Sequence, residues 1–229
     1  MGSLVATVWQ ATRLALVAVS VCALAACSTQ GTARGVTKMN LEDTKRLAVG
    51  DWVSLAPEVR PSTAKNPDGT LRPFYLSREF RYLPDERFEL TIHNWADPNG
   101  KVALARIYLR GRAHWVGEHP IAPGAQKVNF VADEAYEVTP LLPGFVDLLN
   151  KSASAGFSPW QVAKAQSVFG KTFAPFGLTE GKHFMEYDLV YIQGDYLFWG
   201  ARNIDGRGFD TEQNRPTNLQ IQMRRKNAP

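Results

Sequence analysis

Apolar and polar residues alternate along three neighbouring stretches of the chain, and this period of two constrains the fold more than any other feature. The stretches are 76–82, 88–93 and 103–112. Successive side chains of a β-strand point to opposite faces of a sheet, so each stretch is typical of a strand with one buried face. A turn at 84–86 and the hairpin sequence Asp97-Pro98-Asn99-Gly100 separate them, because Asn-Gly readily supplies positive φ. The pattern therefore predicts antiparallel strands joined by short turns.

Further strand-like segments follow along the chain. They are 126–132, 136–138, 184–192, 196–199 and 219–223. Together with the first three stretches they give roughly eight or nine strands, as in an antiparallel barrel or sandwich.

Three segments carry helical signals instead. Asn40 is a suitable N-cap for a short helix that ends at Leu47. An apolar face over 142–151 predicts a second helix. The segment 158–170 begins with serine and proline and ends with glycine, which predicts a third helix.

The N-terminal residues carry an export signal. Arg13 precedes an apolar stretch that is too short to span a bilayer as a stable helix, and small residues come before a cysteine. Leu24-Ala25-Ala26-Cys27 resembles the lipobox of bacterial lipoproteins. This resemblance implies that residues 1–26 are removed and that acyl chains on Cys27 anchor the chain to a membrane. The alternative is an uncleaved N-terminal anchor that happens to end in cysteine.

The residues after the signal suggest a location and a tether. Ser28 follows the cysteine, where aspartate would indicate retention in the inner membrane, so we expect the periplasmic side of the bacterial outer membrane. The lipidated cysteine and the small, polar residues after it, 27–47, predict a flexible tether. The remaining residues, 48–229, are enough for one sizeable core.

Composition argues against several function classes. The two cysteines are Cys22, inside the signal, and Cys27, so the predicted mature domain has no disulfide, no catalytic thiol and no cysteine metal site. The formal net charge is only +4, with basic residues interleaved among acidic ones, which argues against a nucleic-acid partner. The four histidines lack zinc-site spacing, and no P-loop, nucleophile elbow or dinucleotide fingerprint occurs. We therefore expect no metal, no cofactor, no catalytic residues and no enzyme activity.

Short motifs in a fixed order resemble those of a known family. Among them are Gly50-Asp51-Trp52-Val53-Ser54, Glu58-Val59-Arg60-Pro61, Leu76-Ser77-Arg78, Tyr196-Leu197-Phe198-Trp199-Gly200 and Arg215-Pro216-Thr217-Asn218-Leu219-Gln220. Over about residues 50–224 the chain resembles the adenomatosis polyposis coli down-regulated family, the secreted Wnt antagonists and their bacterial relatives. Pro57 and Gly100 stand where family cysteines would fall, so the family's disulfides cannot form here.

The resemblance implies a fold and a ligand class. We expect a mainly β chain in which 48–229 form a single antiparallel lipocalin-like β-barrel with one or two short helices. An apolar cavity that binds lipidic ligands is implied, and catalytic activity is not. Wnt binding does not carry over, because a lipid-anchored bacterial protein would not meet that partner.

Arg78 is the most informative candidate for a ligand contact. It shares a strand face with apolar residues, and a buried guanidinium must be paired. It either orients the acidic headgroup of a lipid or forms an internal salt bridge with Glu58, unless a one-residue error in the parity places it outside. Large aromatic side chains would supply the apolar walls. The candidate ligand-binding residues are Arg78, Phe80, Tyr82, Trp95 and Trp199.

Arg215 precedes the last predicted strand and allows two interpretations. One is a turn that closes the barrel, with Arg215 paired to a carboxylate of the sheet. The other places it at the mouth of a cavity.

The sequence thus predicts a membrane-anchored periplasmic lipoprotein that binds a lipid or other apolar small molecule without catalysis. The alternative is a structural or interaction lipoprotein whose barrel is filled by side chains and whose surface docks an envelope protein. The volume of the cavity distinguishes the two, because a solid core leaves no room for a ligand.

Overall fold

Ten antiparallel strands form one hydrogen-bonded sheet in the computed structural model, which describes residues 39–220 and 222–226. The predictions for the signal segment, for Cys27 and for the tether up to residue 38 lie outside the described residues. The helices are α1 (Leu41–Ala48) and α2 (Pro143–Ser152). The strands are β1 (Gly50–Ser54), β2 (Glu58–Lys65), β3 (Leu71–Tyr82), β4 (Arg87–Trp95), β5 (Ala103–Glu118), β6 (Gln126–Pro140), β7 (Gln166–Ser167), β8 (Phe184–Gln193), β9 (Tyr196–Trp199) and β10 (Met223–Arg225).

Strand pairing closes eight of these strands into a ring. The path runs β1-β10-β9-β8-β6-β5-β4-β3, and β1 pairs with β3 as well as with β10. β2 pairs with the first half of β3, and β7 pairs with β6, so both stand outside the ring. The prediction of a mainly β, antiparallel fold is confirmed.

The alternation of β3 fixes which side chains face the core. Leu76, Arg78, Phe80 and Tyr82 are buried, and the residues between them are half-buried or exposed. The parity predicted from the sequence is therefore correct, and Arg78 points inward. The predicted hairpin at Asn99-Gly100 joins β4 to β5. A Cβ at Gly100 would lie 2.9 Å from the ring of Pro57, and its φ of +65° also favours glycine.

Two of the three helix predictions, those over 40–47 and 142–151, are confirmed. The side chain of Asn40 accepts a hydrogen bond of 2.8 Å from the backbone N–H of Asp43, which caps α1. α1 contacts β5 and β8, and α2 contacts β6. α1 belongs to the same compact unit as the sheet. No helix in the described part of the chain is long and apolar enough to cross a bilayer.

The predicted helix over 158–170 is wrong. The backbone of Trp160 bonds to the side chain of Asn150 through both its N–H (2.8 Å) and its carbonyl (3.1 Å). The Trp160 indole is buried and donates to the carbonyl of Ala153 at 2.9 Å. Ala163 has a φ of +60°, and β7 then pairs with β6. Tertiary contacts thus override a correct set of local helix signals.

β6 also differs from expectation, because it joins the two predicted strands 126–132 and 136–138 into one. The pairing of β5 with β6 shifts register near Gly111, so that β6 remains paired with β5 both before and after the shift.

Candidate functional site

A buried ion-pair cluster lies where β2 meets β3. Nη2 of Arg78 donates to Oε1 of Glu58 at 2.6 Å, and Nη2 of Arg60 donates to Oε2 at 3.0 Å. All three side chains are 6–7% exposed. Burial raises the pKa of Glu58, but the two guanidinium groups outweigh it and hold that pKa below its usual value. The cluster is therefore a satisfied structural unit.

Arg78 forms the internal salt bridge with Glu58, which is the second of its predicted alternatives. Its guanidinium carbon also lies 4.0 Å from the ring centroid of Trp199. With Glu58 on one side and an indole on the other, its cation is engaged within the protein.

Four of the five candidate ligand residues come together in the core. The rings of Phe80 and Tyr82 lie 4.3 Å apart, and those of Phe80 and Trp199 lie 4.7 Å apart. The Trp199 indole donates to the Tyr82 hydroxyl at 3.1 Å, and Trp199 contacts Arg78 as described. Trp95 does not join them: it is half-buried on the opposite face of the sheet, donates to Ser77 Oγ at 3.0 Å and stacks on His93.

Aromatic side chains fill the space between these residues and the facing strands. Phe80, Phe88 and Phe130 make mutual ring contacts at 5.3–5.4 Å. Each of the three is at most 7% exposed. The four clustered candidates are therefore part of a packed core.

A groove of about 320 Å³ lies at a seam between β2 and the segment 201–220. β1 pairs with β10, but β2, which continues the line of β1, has no strand partner on its other edge among the described residues. The volume lies at the lower end of the range for small-molecule pockets. None of the five predicted ligand residues lines it. Its lining residues are Glu58, Val59, Arg60, Pro61, Ala201, Arg202, Leu219 and Gln220.

Gln220, one of the lining residues, carries an unpaired buried donor. Nη2 of Arg60 donates to Oε1 of Gln220 across the seam at 2.5 Å. This bond fixes the orientation of the Gln220 amide, because Arg60 requires an acceptor. Nε2 of Gln220 is buried and has no hydrogen-bond partner in the described part of the chain.

Arg202 supplies a second polar wall. Its Nε donates to the carbonyl of Gly206 at 2.9 Å, and its guanidinium carbon lies 5.5 Å from the ring centroid of Phe74. Within residues 39–220 and 222–226 it forms no ion pair. Burial and, to a smaller extent, the nearby charge of Arg60 lower the pKa of Arg202, and the charges of Glu186 and Asp210 offset only part of this effect.

Asp188 lies behind the groove, next to the segment that forms one of its walls. Its Oδ1 accepts hydrogen bonds from the N–H groups of Gly200 at 2.9 Å and Leu189 at 2.7 Å. Burial, with a smaller contribution from the charge of Glu186, raises the pKa of Asp188 to about 7. Asp188 is thus a buried carboxyl that changes charge near neutral pH.

Arg215 anchors the turn before β10. Its Nη2 pairs with Oε2 of Glu212 at 2.6 Å. Its Nη1 donates to the carbonyl of Val128 at 3.0 Å and to that of Asp188. One interpretation expected a carboxylate partner in the sheet, but Glu212 lies in the short turn Glu212–Asn214. The bonds to β6 and β8 support the closing role that this interpretation gave it.

Sequence reasoning missed Arg202, Gln220 and Asp188 as site residues. Gln220 ends one of the family-like motifs and Arg60 lies within another, so these motifs were the available signal. Arg202 follows no recognisable pattern, and only the fold brings it to β2.

A scan against models of protein families and a search of curated proteins both find no match to this chain. Membership of the adenomatosis polyposis coli down-regulated family therefore stays a prediction that rests on the short motifs over residues 50–224.

Proposed function

We propose that this chain is a lipid-anchored protein of the bacterial outer membrane whose periplasmic domain binds a lipid or other apolar small molecule. The anchor rests on the lipobox-like sequence at Cys27. The domain is a lipocalin-like β-barrel in this proposal, which the pairing of β1 with both β3 and β10 supports. No catalytic step is involved.

The groove at the β2 seam is the observation that carries the proposal. Its volume of about 320 Å³ accommodates part of an acyl chain, and Val59, Pro61 and Leu219 provide apolar contacts. Val59 is 64% exposed although it is apolar, so a ligand would remove it from water. Each buried methylene group contributes about 0.8 kcal/mol, so a chain segment binds without further chemistry. This proposal puts the ligand in the groove and not among the predicted residues, because four of those five pack against one another in the core.

Native mass spectrometry of the full chain in a nonionic maltoside detergent tests this function. We expect a lipid to copurify or to be taken up from a panel of fatty acids and phospholipids. Ala201→Trp should abolish this uptake by filling the groove, because Ala201 lines it. Ala64→Trp, at an exposed position of β2, should leave uptake unchanged. A wild-type chain that carries no lipid and takes up none would contradict the proposal.

The packed aromatic core favours a second function, that of an interaction protein which docks an envelope partner. This function predicts an unliganded mass in the same experiment, together with specific crosslinking of the anchored chain to one envelope protein in cells. Insensitivity of that crosslink to Ala201→Trp would separate it from ligand binding.

A further inference from the structure

We infer that the groove selects amphiphiles that carry an anionic group, a carboxylate or a phosphate, through Arg202 and Gln220. This inference rests on the ligand-binding function proposed above and names its ligand class. Neither residue belongs to the ion-pair cluster of Glu58, Arg60 and Arg78.

Arg202 has hydrogen-bonding capacity that the protein does not use. Its Nε–H is taken by the carbonyl of Gly206, which holds the guanidinium at the wall of the groove. The N–H groups on its two Nη atoms have no acceptor among residues 39–220 and 222–226. Paired N–H groups of a guanidinium match the two oxygens of a carboxylate or phosphate.

Gln220 adds a donor in the same groove. Its Nε2 is buried without an acceptor, and its orientation is set by the bond from Arg60 to Oε1. Leaving a buried donor unpaired costs on the order of 1–3 kcal/mol. A ligand oxygen that reaches Nε2 from the groove would remove that cost, whereas an alkyl group would not.

The charge of the groove also favours an anion. Glu58 is the one carboxylate in its lining, and it is already bonded to both Arg78 and Arg60. The positive charge of Arg202 therefore has no carboxylate partner within the lining. The charges of Glu186 and Asp210 act on Arg202 from outside the lining, but neither forms an ion pair with it among the described residues. An anionic headgroup can therefore pair with Arg202 directly, whereas a neutral headgroup cannot and a cationic headgroup would be repelled.

Apolar residues beside these donors explain why the anion should carry a chain. Leu219 precedes Gln220 directly, and Val59 and Pro61 lie on the opposite wall. Ile204, two residues after Arg202, is 91% exposed. A free inorganic anion would satisfy the donors but would leave this apolar surface in water.

Calorimetric titration of the full chain in maltoside micelles tests the inference, with empty micelles as the blank. The probes are octanoate, octyl phosphate, octanol and inorganic phosphate. We expect octanoate and octyl phosphate to bind at least about tenfold more tightly than octanol. Arg202→Gln should weaken the two anionic amphiphiles by about tenfold and leave octanol unchanged. Arg207→Gln is the matched control, because Arg207 belongs to the same segment, is 56% exposed and lies outside the groove.

Gln220→Glu is a second, nearly isosteric variant that keeps the acceptor for Arg60. It replaces the unpaired donor with a carboxylate, so binding of octanoate and octyl phosphate should fall while octanol binding persists. Equal binding of octanol and octanoate, or equal effects of Arg202→Gln and Arg207→Gln, would overturn the inference and leave the proposed function standing. Binding of inorganic phosphate as tight as that of octyl phosphate would support the anion site and contradict a lipid ligand. Failure of every probe to bind would reject both.

Discussion

Asp188 shows how one buried side chain links pH to stability. Burial raises its folded-state pKa from 3.8 to about 7, so the folded protein holds this proton more tightly than the unfolded chain does. The resulting stabilisation is complete below about pH 4 and is lost as the pH rises towards 7. The charged groups that act on Asp188 are Glu186, which raises its pKa, and Arg78 and Arg60, which lower it.

Asp188→Asn should remove this pH dependence. The amide oxygen retains the acceptor for the N–H of Gly200 but carries no charge. We expect the free energy of unfolding of the variant to exceed that of the wild type increasingly between about pH 4 and about pH 8. Urea unfolding across this range measures the difference. Asp147→Asn, at an exposed position of α2, should give a plot of unfolding free energy against pH that is parallel to that of the wild type. A parallel plot for Asp188→Asn would contradict the raised pKa of Asp188.

At the scale of the paired strands β5 and β6, Gly111 allows the two backbones to approach closely. It lies at the register shift, where a Cβ would approach the carbonyl oxygen of Val131 to 1.9 Å and Ala132 Cα to 2.9 Å. Both obstacles are backbone atoms, so Gly111→Ala must distort the pairing. We expect a loss of about 2 kcal/mol or more in the free energy of unfolding. Gly144→Ala in α2 has open space around the new methyl group and should be neutral or slightly stabilising. Equal stabilities of the two variants would contradict this account.

The same elements show where sequence patterns suffice. β3, β4 and β5 could be predicted because each buries one face, and a period of two is a direct consequence of that geometry. The helix over 158–170 was wrong because its signals are local, whereas the bonds of Asn150 to the Trp160 backbone and the pairing of β7 are not. Gly111 could not be recognised as the position of a register shift, because the shift is set by how β5 pairs with β6 and no local pattern in β5 reports it.

At the scale of the whole molecule, the candidate site was the least predictable feature. The alternation placed Arg78 inward correctly, and Glu58 was named as its possible partner. The groove, however, combines 58–61 with 201–202 and 219–220, and no local pattern links segments that far apart. The aromatic residues chosen as ligand walls were indeed buried with one exception, Trp95, but burial alone does not distinguish a core from a pocket.

Closure of the ring depends on β10, a strand of three residues, and on Arg225 within it, which bonds to the backbone directly before β1. Arg225 donates to the carbonyls of Val49 at 3.0 Å and Leu47 at 2.7 Å, and its guanidinium carbon lies 4.2 Å from the ring centroid of Trp52. Hydrogen bonds to a charged group contribute about 1.5–3 kcal/mol each, so this side chain adds substantially to what the short ladder between β1 and β10 contributes.

Arg225→Ala should therefore open the ring at one place. We expect the free energy of unfolding to fall by about 2 kcal/mol and amide hydrogen exchange to quicken in β1 and β10 before it does in β4, β5 and β6. The neighbouring Arg224 is exposed, and Arg224→Ala should change stability by no more than about 0.5 kcal/mol. Because β2 continues from β1 along the groove, the same opening should weaken octanoate binding to the Arg225→Ala chain. Uniform acceleration of exchange over all strands would show instead that Arg225 contributes to overall stability without controlling the seam.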